Sequence, residues 1–176
     1  MSSTLRRMAA GAAIVVSMAL GTGGPALAQT AGGQRLILIF TTVNGVEQPT
    51  RAVATGPITG AGTETQAIDE NTGVGQLTLE LSRGTVSATF VEGDFRLNFD
   101  PRSCTAKPTS SGTIEITGGT GPFVGVRGTL PFTTRGTIVG SRGSEGECLG
   151  PDDGVPPKVV IVIVAAAGTA SVNPAA

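Results

Sequence analysis

Acid–base chemistry in this chain has to come from carboxylates, guanidinium groups, two lysines or water, because the sequence contains no His, Tyr or Trp. That excludes Ser-His-Asp and Cys-His activation of a nucleophile, histidine-ligated zinc and phenolic acids or bases. Glu80, Arg96 and Glu115 stand opposite the apolar positions of alternating segments. They could converge in a polar-lined cavity as an acid–base or ion-pair set, or face water outside an apolar-filled barrel. Arg127 could orient an anionic or carbonyl-bearing ligand through its planar fork, or be a solvated strand residue. Phe90, Phe95, Phe99, Phe123 and Phe132 carry most of the aromatic bulk, either lining a hydrophobic ligand site or packing a core. Glu145, Glu147, Asp152 and Asp153 offer the oxygen ligands calcium prefers but lack EF-hand spacing, so they read as a solvated loop. Gly118-Gly119-Thr120-Gly121 lacks the Gly-Lys-Ser/Thr ending of a phosphate-binding loop and reads as a tight bend that only glycine tolerates. No metal or cofactor is expected.

The N-terminal segment reads as an export signal. Arg6 and Arg7 precede an uncharged, alanine-rich stretch over 8–20, and the small-x-small triplet Ala26-Leu27-Ala28 follows. The apolar part is shorter than the roughly 20 residues that span a bilayer as a helix, so cleavage after Ala28 is expected, leaving a secreted product with no membrane span. Arg6-Arg7 also fits twin-arginine export. No cysteine follows the site to carry a lipid. Residues 29–176 have an ordinary size for one domain. Cleavage removes two of 12 basic residues and none of the 13 acidic ones, and the remaining arginines are scattered. Nucleic acid, which requires a clustered basic face, is not an expected partner. The two cysteines, Cys104 and Cys148, are an even count in an exported chain and are expected to form a disulfide, which would stabilise a fold with this loop length by about 4 kcal/mol.

The elements that must position these groups are strands. Short alternating apolar runs are separated by Gly, Pro, Asn and Asp, and no segment has a helical period. Runs at 35–42 and 51–59 flank Asn44-Gly45, a hairpin dipeptide, and Gly56-Pro57 marks a bend, bulge or edge. A weaker run covers 62–68. Leu77, Leu79 and Leu81 alternate with Thr78, Glu80 and Ser82, giving one buried face and one polar face. Arg83-Gly84 reads as a hairpin turn, and Val86, Ala88 and Phe90 share a face on the return. Glu92-Gly93-Asp94 reads as a second turn, with Phe95, Leu97 and Phe99 as the next apolar face, completing a three-strand meander. A polar loop through Ser111 then leads to a strand at 112–117. A strand spans 129–140, a loop over 141–157 carries Cys148, and the run 158–167, apolar on both faces, reads as an inner or well-covered closing strand. These expectations describe an all-β domain of about eight strands. An eight-stranded antiparallel barrel removes exposed edges, and a two-sheet β-sandwich fits the same periodicity.

The stretch over 112–129, from Gly112 through Gly118-Gly119-Thr120-Gly121-Pro122-Phe123 to Arg127-Gly128-Thr129, resembles the signature of the dirigent and allene oxide cyclase barrels. The phrase over 55–63 is similar to their second-strand region, and the segment over 99–104 with a late cysteine resembles exported bacterial members. The resemblance implies an eight-stranded antiparallel barrel with a central apolar pocket, often a homotrimer. Those families steer phenolic radical coupling or close a ring on an oxidised fatty acid, chiefly by shape. Arg127 matches the arginine of the dirigent Ala-Arg-Gly segment, with Val126 in place of the alanine; the tyrosines of dirigent pockets have no counterpart here. Three functions follow as expectations: binding of a small hydrophobic molecule, templated cyclisation or coupling without metal or histidine, and a structural or surface-interaction role.

Overall fold

A computed structural model describes residues 30–69, 72 and 74–172; the expected export signal and its cleavage site lie outside them. Ten strands follow in chain order: β1 (Thr30–Val43), β2 (Val46–Thr55), β3 (Gly60–Asp69), β4 (Val74–Leu81), β5 (Gly84–Asp100), β6 (Thr105–Gly119), β7 (Arg127–Val139), β8 (Ser141–Arg142), β9 (Cys148–Leu149) and β10 (Val159–Val172). Eight of them close an antiparallel barrel in the order β1-β10-β7-β6-β5-β4-β3-β2, and β8 and β9 form a separate ribbon. The barrel is the architecture expected, and the sandwich alternative is excluded by closure between β1 and β10.

Alternation decides which side chains fill the barrel. Leu77, Leu79 and Leu81 on β4 and Val86 and Ala88 on β5 are buried, as are Ile114 and Ile116 on β6. Large and small residues face one another across neighbouring strands. Leu36 pairs with Ala54 on one side and Ala166 on the other, and Leu38 pairs with Ala52 and Val164. Bulky leucines therefore have room without strain, the interdigitation a curved core requires. The hairpin joining β1 to β2 uses Asn44 at φ 51° and Gly45 at φ 78°, two consecutive left-handed residues as a type I′ turn demands.

The disulfide joins Cys104 and Cys148, with Cα atoms 5.4 Å apart. It fastens the 141–157 loop to the β5–β6 turn. That turn is shaped by Asp100, which accepts bonds from the Arg102 amide at 2.9 Å and the Ser103 hydroxyl at 2.8 Å, the self-bonding turn Asp favours. These bonds hold the Asp100 carboxyl below its usual range, the Ser103 bond contributing most.

Four expectations are corrected. Residues 92–94 do not reverse the chain: β5 continues to Asp100, with a register shift between Glu92 and Phe95 against β6. A bulge and a turn use the same Gly and Asp signals, because each requires a local departure from extended backbone. Residues 105–111 are strand rather than loop. Phe95, Leu97 and Phe99 do not form a buried face; they are 52–61% exposed, and among the described residues β4 pairs with β5 only as far as Val91. The closing strand β10 joins β1 and β7 as expected, but its outer face is uncovered among the described residues, leaving Ile161 and Ile163 exposed.

Candidate ligand-binding cavity at the open end of the barrel

The two ends of the barrel are built differently. One end is closed by the 3-10 turn Gly121–Phe123 and by the bend over 56–58. Phe123, Val126 and Ile58 are buried there. Gln34, only 1% exposed, secures the bend: its Nε2 donates to the Ile58 and Arg35 carbonyls, and its Oε1 accepts the Ile58 amide at 2.8 Å. A buried amide with its bonds made specifies one chain path. Thr120 ties the other plug to β5, since its hydroxyl accepts the Thr85 amide at 2.9 Å and its amide donates to the Thr85 carbonyl. Gly118-Gly119-Thr120-Gly121 is thus the expected bend. Gly121 has φ +59°, and a Cβ there would lie 2.7 Å from the Arg83 carbonyl oxygen. The void among Leu36, Ile58, Leu79, Val86, Ile116 and Leu130 in this half is about 10 Å³, room for no more than about one water.

The opposite end is hollow. A cavity of about 310 Å³ is lined by Leu38, Phe40, Ile68, Leu77, Phe90, Ile114, Phe132, Val162 and Val164, with Gln66, Glu92 and Thr134 as its polar groups. Phe90 and Phe132 are seated over the glycines opposite them. Gly75 pairs with Phe90 and Gly112 with Phe132, and each ring occupies the volume a Cβ on that glycine would need. Aromatic cover of a glycine in a curved sheet fixes the ring and holds both rings against the lumen.

A second cavity, about 470 Å³, adjoins the first and shares Phe40 and Gln66 with it; its other walls are Thr41, Thr42, Glu47, Gln48, Pro49, Thr50, Glu64 and Thr65. Its origin is local. β2 and β3 pair only from Thr50↔Glu64 to Ala54↔Gly60, and the β1–β2 register shifts between Ile39 and Thr41, opposite Pro49 and Thr50. Proline has no N–H for the ladder, so the strands part beyond Thr50 and a cleft opens through the barrel wall.

Glu64 stands where that cleft begins. It pairs with Thr50 on β2 and Leu79 on β4, so it faces inward, and it is 6% exposed. The Thr50 side chain hydrogen-bonds the carboxyl, but burial outweighs this and pushes its pKa up, because an ion leaving water disfavours its charged form. Its Oε1 is buried with no partner.

The structure separates the residues singled out from sequence. Phe90 and Phe132 line the cavity, Phe123 plugs the closed end, and Phe95 and Phe99 are exposed beyond the mouth. Glu80, Arg96, Glu115 and Arg127 are all exposed. Only Glu115 and Arg127 come together, along a shallow outer depression on β6 and β7. Glu145, Glu147, Asp152 and Asp153 are exposed loop residues, and among the described residues no three His, Cys, Asp or Glu side chains gather as a metal site. Sequence reasoning missed Gln34, Phe40, Glu64 and Gln66. Phe40 ends an evident apolar run. Glu64 and Gln66 lie in phase with Gly62 and Ile68, but a strand with so few apolar residues does not announce its inner face.

Compared with protein-family models, curated proteins and solved structures, the chain matches none. Among the described residues, no helix is long and apolar enough to cross a membrane.

Proposed function

We propose that this chain is an exported barrel that binds a small hydrophobic molecule through its open end. The observation that carries the reading is the 310 Å³ cavity with nine apolar side chains in its wall, against a void of about 10 Å³ in the other half. A hollow of that size, apolar with a few polar groups, is at the small end of ligand sites. Export is supported by the disulfide, which persists in oxidising compartments, and kinship with the dirigent and allene oxide cyclase barrels by the closed eight-stranded topology. The test is titration of the processed, disulfide-bonded protein with the uncharged fluorophore N-phenylnaphthylamine. Saturable enhancement is expected, abolished by Val162→Trp, which fills the lumen. No saturation, or equal binding by the variant, defeats the proposal.

A templating enzyme of the cyclase or coupling kind is a second reading, favoured by the carboxyls of Glu64 and Glu92 at the cavities. Product profiling with fatty-acid and polyketide-like substrates separates it from passive binding, and unchanged product ratios count against it. Assembly as a homotrimer is supported by an apolar stripe outside β2, β1 and β10, where Ile37 pairs with Val53 and Ile39 with Ile163, since such a patch favours a partner surface. Sedimentation of wild type and Ile163→Glu tests it: a monomeric wild type rules it out.

A further inference from the structure

The polar groups around the two cavities all carry the same sign of charge or none. Glu92 borders the lumen, Glu47 and Glu64 border the cleft, and among the described residues no Lys or Arg lines either space. We propose that the two cavities form one site for a cationic amphiphile, its apolar body in the lumen and its protonated amine in the cleft beside Glu64. This rests on the ligand-binding reading above and names the class of ligand.

Two independent features carry it. Glu64 is more than nine-tenths buried yet leaves Oε1 without a partner, an expensive arrangement that a bound hydrogen-bonding cation relieves. The torsion that sets the carboxyl plane is soft, so the group turns toward the cleft at little cost. Phe40 and Gln66 belong to both cavity walls, so one ligand can extend from lumen to cleft. An ammonium has three donors and no acceptor. The cleft answers with the Glu64 and Glu47 carboxylates and the carbonyl and hydroxyl oxygens of Gln66, Gln48 and Thr50, and the aromatic ring of Phe40 belongs to the same wall. The same walls discriminate against a fatty acid, whose carboxylate would enter among Glu47, Glu64 and Glu92 with no cation to receive it. Rejection by like charge is as much a part of specificity as attraction.

The experiment compares n-decylamine, n-decanol and n-decanoate as competitors of N-phenylnaphthylamine on the processed protein near neutral pH. The amine is expected to bind about tenfold or more tightly than the alcohol, and the carboxylate more weakly than either, as fits one desolvated charge pair. Glu64→Gln should remove most of the roughly tenfold advantage of the amine over the alcohol, both measured on the variant itself. If fluorophore and alcohol bind but the amine has no advantage, the cationic assignment fails and the lumen reading stands. If neither fluorophore nor alcohol binds, both fail. An amine advantage unchanged in Glu64→Gln overturns the role of Glu64, and an equal loss in Glu80→Gln, an exposed carboxylate outside both cavities, would make it a general surface effect and overturn it as well. Should Glu64→Gln not fold, the three-ligand series on the wild type still decides the matter.

Discussion

A barrel solid at one end and hollow at the other should respond unequally to truncation, and the comparison of Leu130→Ala with Phe90→Ala makes this measurable. Leu130 is 1% exposed, pairs with Ile114 on β6, and borders only the void of about 10 Å³. Shortening it removes nearly all of a leucine's transfer energy and opens a new cavity, so a cost of about 3 kcal/mol is expected. Phe90 is larger but half-buried, and part of its ring already faces the 310 Å³ space. Its truncation enlarges an existing hollow and forfeits only part of a phenylalanine's burial, about 1 kcal/mol. With a urea dependence of about 2 kcal/mol per molar, the unfolding midpoint should fall by about 1.5 M for Leu130→Ala and about 0.5 M for Phe90→Ala. Equilibrium urea unfolding followed by far-ultraviolet dichroism, with the slope checked for constancy, provides the assay. Equal or inverted shifts would mean that the mouth is packed as tightly as the plug, and the binding proposal would lose its basis.

Glu64 contributes a pH dependence whose sign follows from its raised pKa. The folded state holds the proton more tightly than the unfolded chain, where a glutamate titrates near about 4.3. Stability is therefore undiminished below that value and falls as pH rises through the folded pKa. Glu64→Gln should flatten this decline in pH-dependent urea midpoints, and an unaltered profile would contradict the burial argument. Reduction of the Cys104–Cys148 disulfide should lower stability by up to about 4 kcal/mol, and intact mass after alkylation, with and without reductant, should show both thiols protected only in the unreduced sample. Gly121→Ala should cost about 1 kcal/mol or more in thermal unfolding, since it adds a Cβ at φ +59° and 2.7 Å from the Arg83 carbonyl; a neutral result would mean that the plug is not the rigid bend described.

Much of this architecture was legible in one dimension. The alternation of Leu77, Leu79 and Leu81, the Asn44-Gly45 hairpin, the glycine bend at 118–121 and the cysteine pair all express local constraints: the period of the pleat, the left-handed turn, and the redox chemistry of an even thiol count. Residues 92–94 show where local reading stops, because the same Gly-Asp signal serves a turn or a bulge, and continuous pairing with β6 selects the bulge. The cavity depends on still less local facts. It borders the stretch where, among the described residues, β5 runs on to Asp100 past its last partner on β4, and it adjoins the cleft where β2 and β3 separate beyond Thr50. Whether Glu64 faces water or a closed wall depends on its register against Leu79 and Thr50, residues remote in the chain. Side-chain periodicity is written residue by residue, so the strands could be read. Strand lengths and registers are set between distant segments, so the hollow, its open end and its buried carboxyl emerge only when the barrel closes.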